Sequence, residues 1–217
     1  MLRLILANKN YSSWSLRPWL VLRAAKLAFE EVVIPLDEPG TEAAIAKVSP
    51  SRRVPVLEDD GLRVWDSLAI AEYVAEKAPE AHLWPKDREG RAIARAVSAE
   101  MHAGFTAMRT EMPMNLKRSN VPVRPSAACQ ADVRRVAEIF GTMRGAHRDE
   151  GPYLFGAWSI ADAMFTPVAT RFRTYGVILG GAAQDYVETL LSNPDFAEWE
   201  RAALEETSSI TRYDAIG

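Results

Sequence analysis

The chain of 217 residues has one cysteine, Cys129, and only three histidines, His82, His102 and His147. A single thiol excludes an internal disulfide framework, a Cys-x-x-Cys redox pair and a thiolate zinc site. The histidines lie far apart with no His-x-x-x-His spacing, so no metal is expected. Neither sign of charge dominates: 26 Lys and Arg stand against 29 Asp and Glu, for a net charge of −3. That balance predicts no broad basic face and excludes nucleic acid as an expected partner. Long apolar runs are missing too. The opening "MLRLILANKN" turns polar after a few residues, short of a signal peptide and far short of the roughly 20 residues of a membrane span. No membrane association is expected, and the chain reads as cytoplasmic.

What is there is ordinary for a globular protein: 48% hydrophobic and 25% charged residues, with no internal repeat or low-complexity tract. The length allows one large domain or two small ones. "LRLILA" predicts a strand. Leu16, Trp19, Leu20 and Leu27 follow helical spacing from Ser15 onward, with Pro18 tolerable in a first turn. "FEEVVIPL" reads as a strand and "TEAAIAKV" as a short helix. "VPVLEDDGLRVWD" reads as a hairpin about Asp59-Asp60-Gly61, and "SLAIAEYVAEKA" as a helix stopped by Pro79. Beyond the irregular "PEAHLWPKDREG", four stretches have helical periodicity and no strand intervenes: residues 91–116, 126–150, 159–179 and 182–193. The fold class is therefore a small α/β unit followed by an all-α unit.

Four short patterns bear on chemistry. Val54-Pro55 places a proline at a strand start, where a cis bond would turn the Val54 backbone toward a peptide-like ligand in strand-addition style. Asp66-Ser67 opens a helical run. It suits an N-cap, and a helix N-terminus suits a carboxylate, with Asp66 beside it for an ammonium group. Ser159 and Asp162 have capping-box spacing, which marks a folding element. "NYSSWSLRPWL" gathers three serines where a strand gives way to a helix.

In this order, the patterns resemble the cytosolic glutathione transferase family over nearly the whole chain. The resemblance is closest to serine-type bacterial members of zeta- and tau-like kind. "SSWSLR" is similar to the zeta-class turn S-S-C-S-W-R and the tau-class turn S-P-F-S-x-R. It implies a thioredoxin-like glutathione-binding domain over 1–79, a linker over 80–89 and an all-helical domain over 90–217. Val54 would meet the cysteinyl backbone of glutathione beside a cis Pro55. Asp66 and Ser67 would hold the γ-glutamyl end, and Arg53 would lie near the glycine carboxylate. Ser12, or alternatively Ser13, would stabilise the glutathione thiolate, leaving Ser15 as the helix cap. Trp14, Phe105 and Met108 would line the pocket of a small electrophile, and a homodimer is implied. Met101 and Met112 are further candidates for that pocket, although methionines at this spacing are commonly core; Arg109, Arg171 and Arg173 are candidate anion receivers.

The expected activity is transfer of glutathione, the co-substrate, to a small electrophile of apolar or aromatic kind. Two alternatives stand beside it: a non-catalytic scaffold that binds a protein partner, and a glutathione-dependent isomerase of zeta type. Trp14 replaces the zeta cysteine and argues against the last.

Overall fold

A computed structural model describes residues 1–217. The sheet has four strands in the order β2-β1-β3-β4, with β1 (Leu2–Leu6), β2 (Phe29–Val33), β3 (Val56–Asp59) and β4 (Leu62–Trp65). β1 runs parallel to β2, with Leu4 opposite Glu31, and antiparallel to β3, with Leu4 opposite Leu57. As an inner strand it is covered on both faces, so Leu4, Ile5 and Leu6 are all buried. The β3–β4 turn is Asp60-Gly61, with φ of 46° and 93°. Two left-handed residues in a two-residue loop match the right-handed twist of the flanking strands, which is why Asp-Gly serves here.

Helices α1 (Ser13–Ala24), α2 (Thr41–Val48) and α3 (Ser67–Lys77) complete the first unit. A short 3-10 turn at Pro79–Ala81 follows, and then α4 (Arg88–Ala103), α5 (Thr106–Glu111), α6 (Ala127–Ala146), α7 (Ile160–Thr174), α8 (Gly181–Leu191), α9 (Pro194–Glu205) and α10 (Thr211–Asp214). This is a thioredoxin-like α/β domain followed by a helical region. α1 starts two residues earlier than its apolar spacing predicts. Its N-cap is Ser12 rather than Ser15, because the Ser12 Oγ accepts from the Ser15 backbone N–H. Pro18 is therefore inside α1, beyond the first turn, and cannot donate back to Trp14.

The stretch from Arg91 to Leu116 is not one helix. α4 ends at Gly104, where a Cβ would sit 2.8 Å from the Glu100 carbonyl oxygen, and Phe105 takes a left-handed φ of 56° before α5 begins. Segment 80–89 is packed rather than loose at its centre: Leu83 and Trp84 are buried, and the Leu83 carbonyl accepts from the Ile160 N–H at 2.9 Å.

α7 runs through the core, buried along almost its whole length. It packs against α1, α4 and α8. Its start is fixed by the Ser159–Asp162 capping box, with Asp162 fully buried. The Asp162 carboxylate accepts from the backbone N–H groups of Leu154 (3.0 Å) and Ser159 (2.7 Å) and from the Tyr186 hydroxyl (2.7 Å). Burial pushes its pKa up, against the pull of those donors.

The segment after α9 returns to the first turn of the chain. The Glu206 carboxylate accepts from the N–H groups of Lys9 (2.6 Å) and Asn10 (3.0 Å), and Asn8 donates to the Ser208 hydroxyl at 2.6 Å. The Tyr11 hydroxyl donates to Asp214 at 3.0 Å. No helix is long and apolar enough to cross a membrane.

The hairpin is tied to α3 through Asp59, which accepts from the Tyr73 hydroxyl and pairs with Lys77, both at 2.6 Å. Lys77 first, and Tyr73 second, hold this carboxyl below the usual aspartate range. A depressed carboxyl contributes stability that is present above the unfolded-state value of about 4 and is lost as pH falls through the folded-state value. The stability gap between wild type and Asp59→Asn is therefore full at neutral pH and closes below about pH 4 in urea unfolding measured across pH. A gap that stays constant down to acid pH would refute this role for Asp59.

Candidate functional site

A cleft of about 580 Å³ opens between the sheet and the helical region. Arg53, Val54 and Pro55 line it before β3, Asp66 and Ser67 at the start of α3, and Trp14, His102 and Arg109 from α1, α4 and α5. The Val54–Pro55 bond is cis. Neither the N–H nor the C=O of Val54 takes a backbone partner within the chain. Ser67 is 2% exposed, yet its hydroxyl has no hydrogen-bond partner. A buried hydroxyl left unpaired costs on the order of 1–3 kcal/mol, so a lining with such groups is suited to a polar ligand.

Asp66 has a φ of 75° and serves as the α3 N-cap, its Oδ1 accepting from the N–H groups of Leu68 (2.9 Å) and Ala69 (3.3 Å). The second oxygen, Oδ2, lies 2.9 Å from His102 Nε2. His102 was not singled out from the sequence: an isolated histidine on a helix carries no motif, and only the fold brings α4 over α3. Its ring stands edge-on to Trp14, with centroids 5.3 Å apart, and its Nδ1 is buried without a partner.

A second cavity of about 320 Å³ adjoins the cleft and shares Trp14 and Arg109 with it. Ser12 and Ser13 line this second cavity, not the larger cleft. The three serine hydroxyls have different work. Ser12 caps α1 and donates its own proton to Ser15 Oγ at 2.8 Å. Ser15, fully buried, also accepts from the Ala7 N–H at 3.0 Å, which ties α1 to the end of β1. Ser13 accepts from Arg171 Nη2 at 3.2 Å, and its own O–H has no acceptor in the chain.

Guanidinium groups crowd this junction. Those of Arg17 and Arg109 each lie 4.4 Å from the Trp14 ring centroid. Arg17 is fully buried and donates to the carbonyls of Met164 (3.1 Å) and Ser13 (3.4 Å). Burial, followed by the charges of Arg171 and Arg109, holds its pKa well below the ordinary arginine value. Burial and then Arg109 lower Arg171 to about 10.

Phe105 and Met108 are not in either cavity. Phe105 is 6% exposed and Met108 fully buried, and both join the main core, as do Met101 and Met112. At helical spacing these apolar side chains face the packed interior, so the expected pocket wall is reduced to Trp14. Arg173 instead pairs with Glu200.

A thioredoxin-like domain, a helical region and a polar cleft at their junction define the glutathione transferase architecture. The description "Glutathione S-transferase, N-terminal domain" matches residues 11–77. Glutathione S-transferase L1 of Arabidopsis thaliana is 25% identical over 84% of this chain and 70% of its own. A probable maleylacetoacetate isomerase of Caenorhabditis elegans is 34% identical, but the match spans 45% of this chain and 44% of the relative. Among solved structures, a glutathione transferase homologue from Burkholderia with bound glutathione is 26% identical over 94% of this chain and 99% of its own, with a TM-score of 0.71. Residues 11–77 thus match a glutathione S-transferase N-terminal domain, and the chain as a whole shares the fold of the Burkholderia glutathione transferase homologue.

Asp66 joins two structural duties, and substitution separates them. Asp66→Asn keeps an N-cap acceptor and changes stability little, whereas Asp66→Ala costs about 1 kcal/mol in denaturant unfolding. Equal losses in the two variants would show that the His102 pair, not the cap, dominates.

Proposed function

We propose that this chain is a glutathione-dependent transferase that binds glutathione in the larger cleft and directs its thiolate at a small electrophile. The observation that carries the reading is the unpaired polar lining of one cleft: the Val54 backbone and the buried Ser67 hydroxyl. The cysteinyl N–H and C=O of glutathione complement Val54 as an added strand would. Its γ-glutamyl carboxylate complements the Ser67 hydroxyl at the positive end of α3, and its ammonium group complements Asp66. Arg53 is exposed on the rim and would meet the glycine carboxylate. Binding here places the ammonium group in competition with His102 for one carboxylate oxygen.

A free thiol with a pKa near 8.5 is only a few per cent ionised at neutral pH, so catalysis begins with thiolate stabilisation. Ser13 is the free donor for sulfur, ahead of the Ser12 preferred from sequence, because the Ser12 proton is engaged by Ser15. Arg171 behind Ser13 makes its O–H a better donor to an anion. The thiol proton leaves to solvent and the thiolate attacks an electrophilic carbon. The carbon–sulfur bond forms as the leaving group departs with its electron pair. A glutathione-dependent isomerase is the second reading, favoured by the 34% identity to the probable maleylacetoacetate isomerase.

Calorimetric titration with glutathione tests the cleft. Ser67→Ala is expected to weaken binding about tenfold, the worth of one hydrogen bond to a charged group. Ser13→Ala is expected to retain binding and raise the bound thiol pKa, read from ultraviolet thiolate absorbance, by about one unit or 1.4 kcal/mol. An unchanged thiolate in Ser13→Ala with a loss in Ser12→Ala would return the role to Ser12. No binding by the wild-type protein would refute the transferase reading.

A further inference from the structure

The smaller cavity is built unlike a pocket for an apolar molecule. Two arginines, Arg109 and Arg171, line it, and no aspartate or glutamate does. Arg171 is 4% exposed, and its Nε has no hydrogen-bond partner. Arg17, 1% exposed and stacked near Trp14, likewise has an unpaired Nη2. Buried cations are normally paired, since desolvation without a partner is costly. Here the surrounding carboxylates are engaged elsewhere: Asp66 caps α3 and pairs with His102, while Asp214 accepts from Tyr11 and Asn115. Burial first, and then the charges of neighbouring arginines, lower the proton affinity of Arg17 and Arg171, while burial alone lowers that of Arg109; the three lack a counter-charge.

From this geometry we propose that the smaller cavity is an anion subsite, in which Arg171 and Arg109 receive the carboxylate of the second substrate. The electrophile is then a small carboxylic acid, its charge anchored on Arg109 and Arg171 and its reactive carbon turned along Trp14 toward the thiolate held at Ser13. The planar fork of arginine matches a carboxylate by two parallel hydrogen bonds. Leu36, Met114 and Trp14 supply apolar surface for the remainder of the molecule. That the anion is a co-substrate rests on the glutathione-transferase reading; the subsite itself rests on the arginines alone.

The probes are 3-nitrobenzoate and the uncharged 3-nitrobenzamide, titrated calorimetrically into the full chain with and without glutathione. The wild-type protein is expected to prefer the benzoate by about tenfold, consistent with a charge-assisted hydrogen bond. Arg109→Gln and Arg171→Gln are each expected to abolish most of that preference. Arg109 is only part-buried and lies on the short α5, so its variant tests the subsite if the Arg171 variant fails to fold. Equal affinity for the two probes in wild type, or a full preference surviving Arg109→Gln and Arg171→Lys together, would overturn the subsite. A preference for the benzoate in a protein that does not bind glutathione would sustain the subsite and refute only the transferase reading.

Discussion

The buried carboxylate of Asp162 is the constraint on which the molecule's interior hangs. It gathers donors from the turn before α7, from its own N-cap and from α8, and so fixes where α7 begins. Once its start is fixed, α7 presents the Met164 carbonyl to Arg17 and the Arg171 guanidinium to Ser13. Both contacts cross from the helical region to α1. The register of one helix therefore determines the electrostatics of the first turn of another, through groups buried deeply enough that water does not screen them.

The strands, the hairpin and α2 were legible because each is specified locally: alternation or continuous apolarity, an Asp-Gly turn, a short periodic run. Val54-Pro55 and Asp66-Ser67 were legible as patterns because backbone constraint and capping are properties of adjacent residues. What escaped is long-range. The break at Gly104 was hidden by apolar residues that keep helical spacing across it, and Phe105 and Met108 were misplaced for the same reason. α9 and α10 were missed, although Asn193-Pro194 is a legible helix start with Asn as cap and Pro in the first turn. Which serine caps α1 turned on the Ser15 backbone N–H reaching the Ser12 hydroxyl, a choice that three serines within four residues leave open.

Both cavities carry arginines, but only the larger cleft also holds an acid, Asp66. The larger cleft mixes Asp66, His102, Arg53 and Arg109 with unpaired neutral groups. The smaller is cationic and holds the serines. Trp14 stands in the wall of both, near two guanidinium groups and one imidazole.

The return of the chain to its own beginning has a consequence for the order of assembly. The amides of Lys9 and Asn10 find their carboxylate at Glu206, 197 and 196 positions downstream. During synthesis the sheet and the serine turn leave the ribosome long before that carboxylate exists. The serine turn lacks this tether until nearly two hundred further residues have been added. A nascent chain thus carries the serine turn before it carries the carboxylate that ties the turn down.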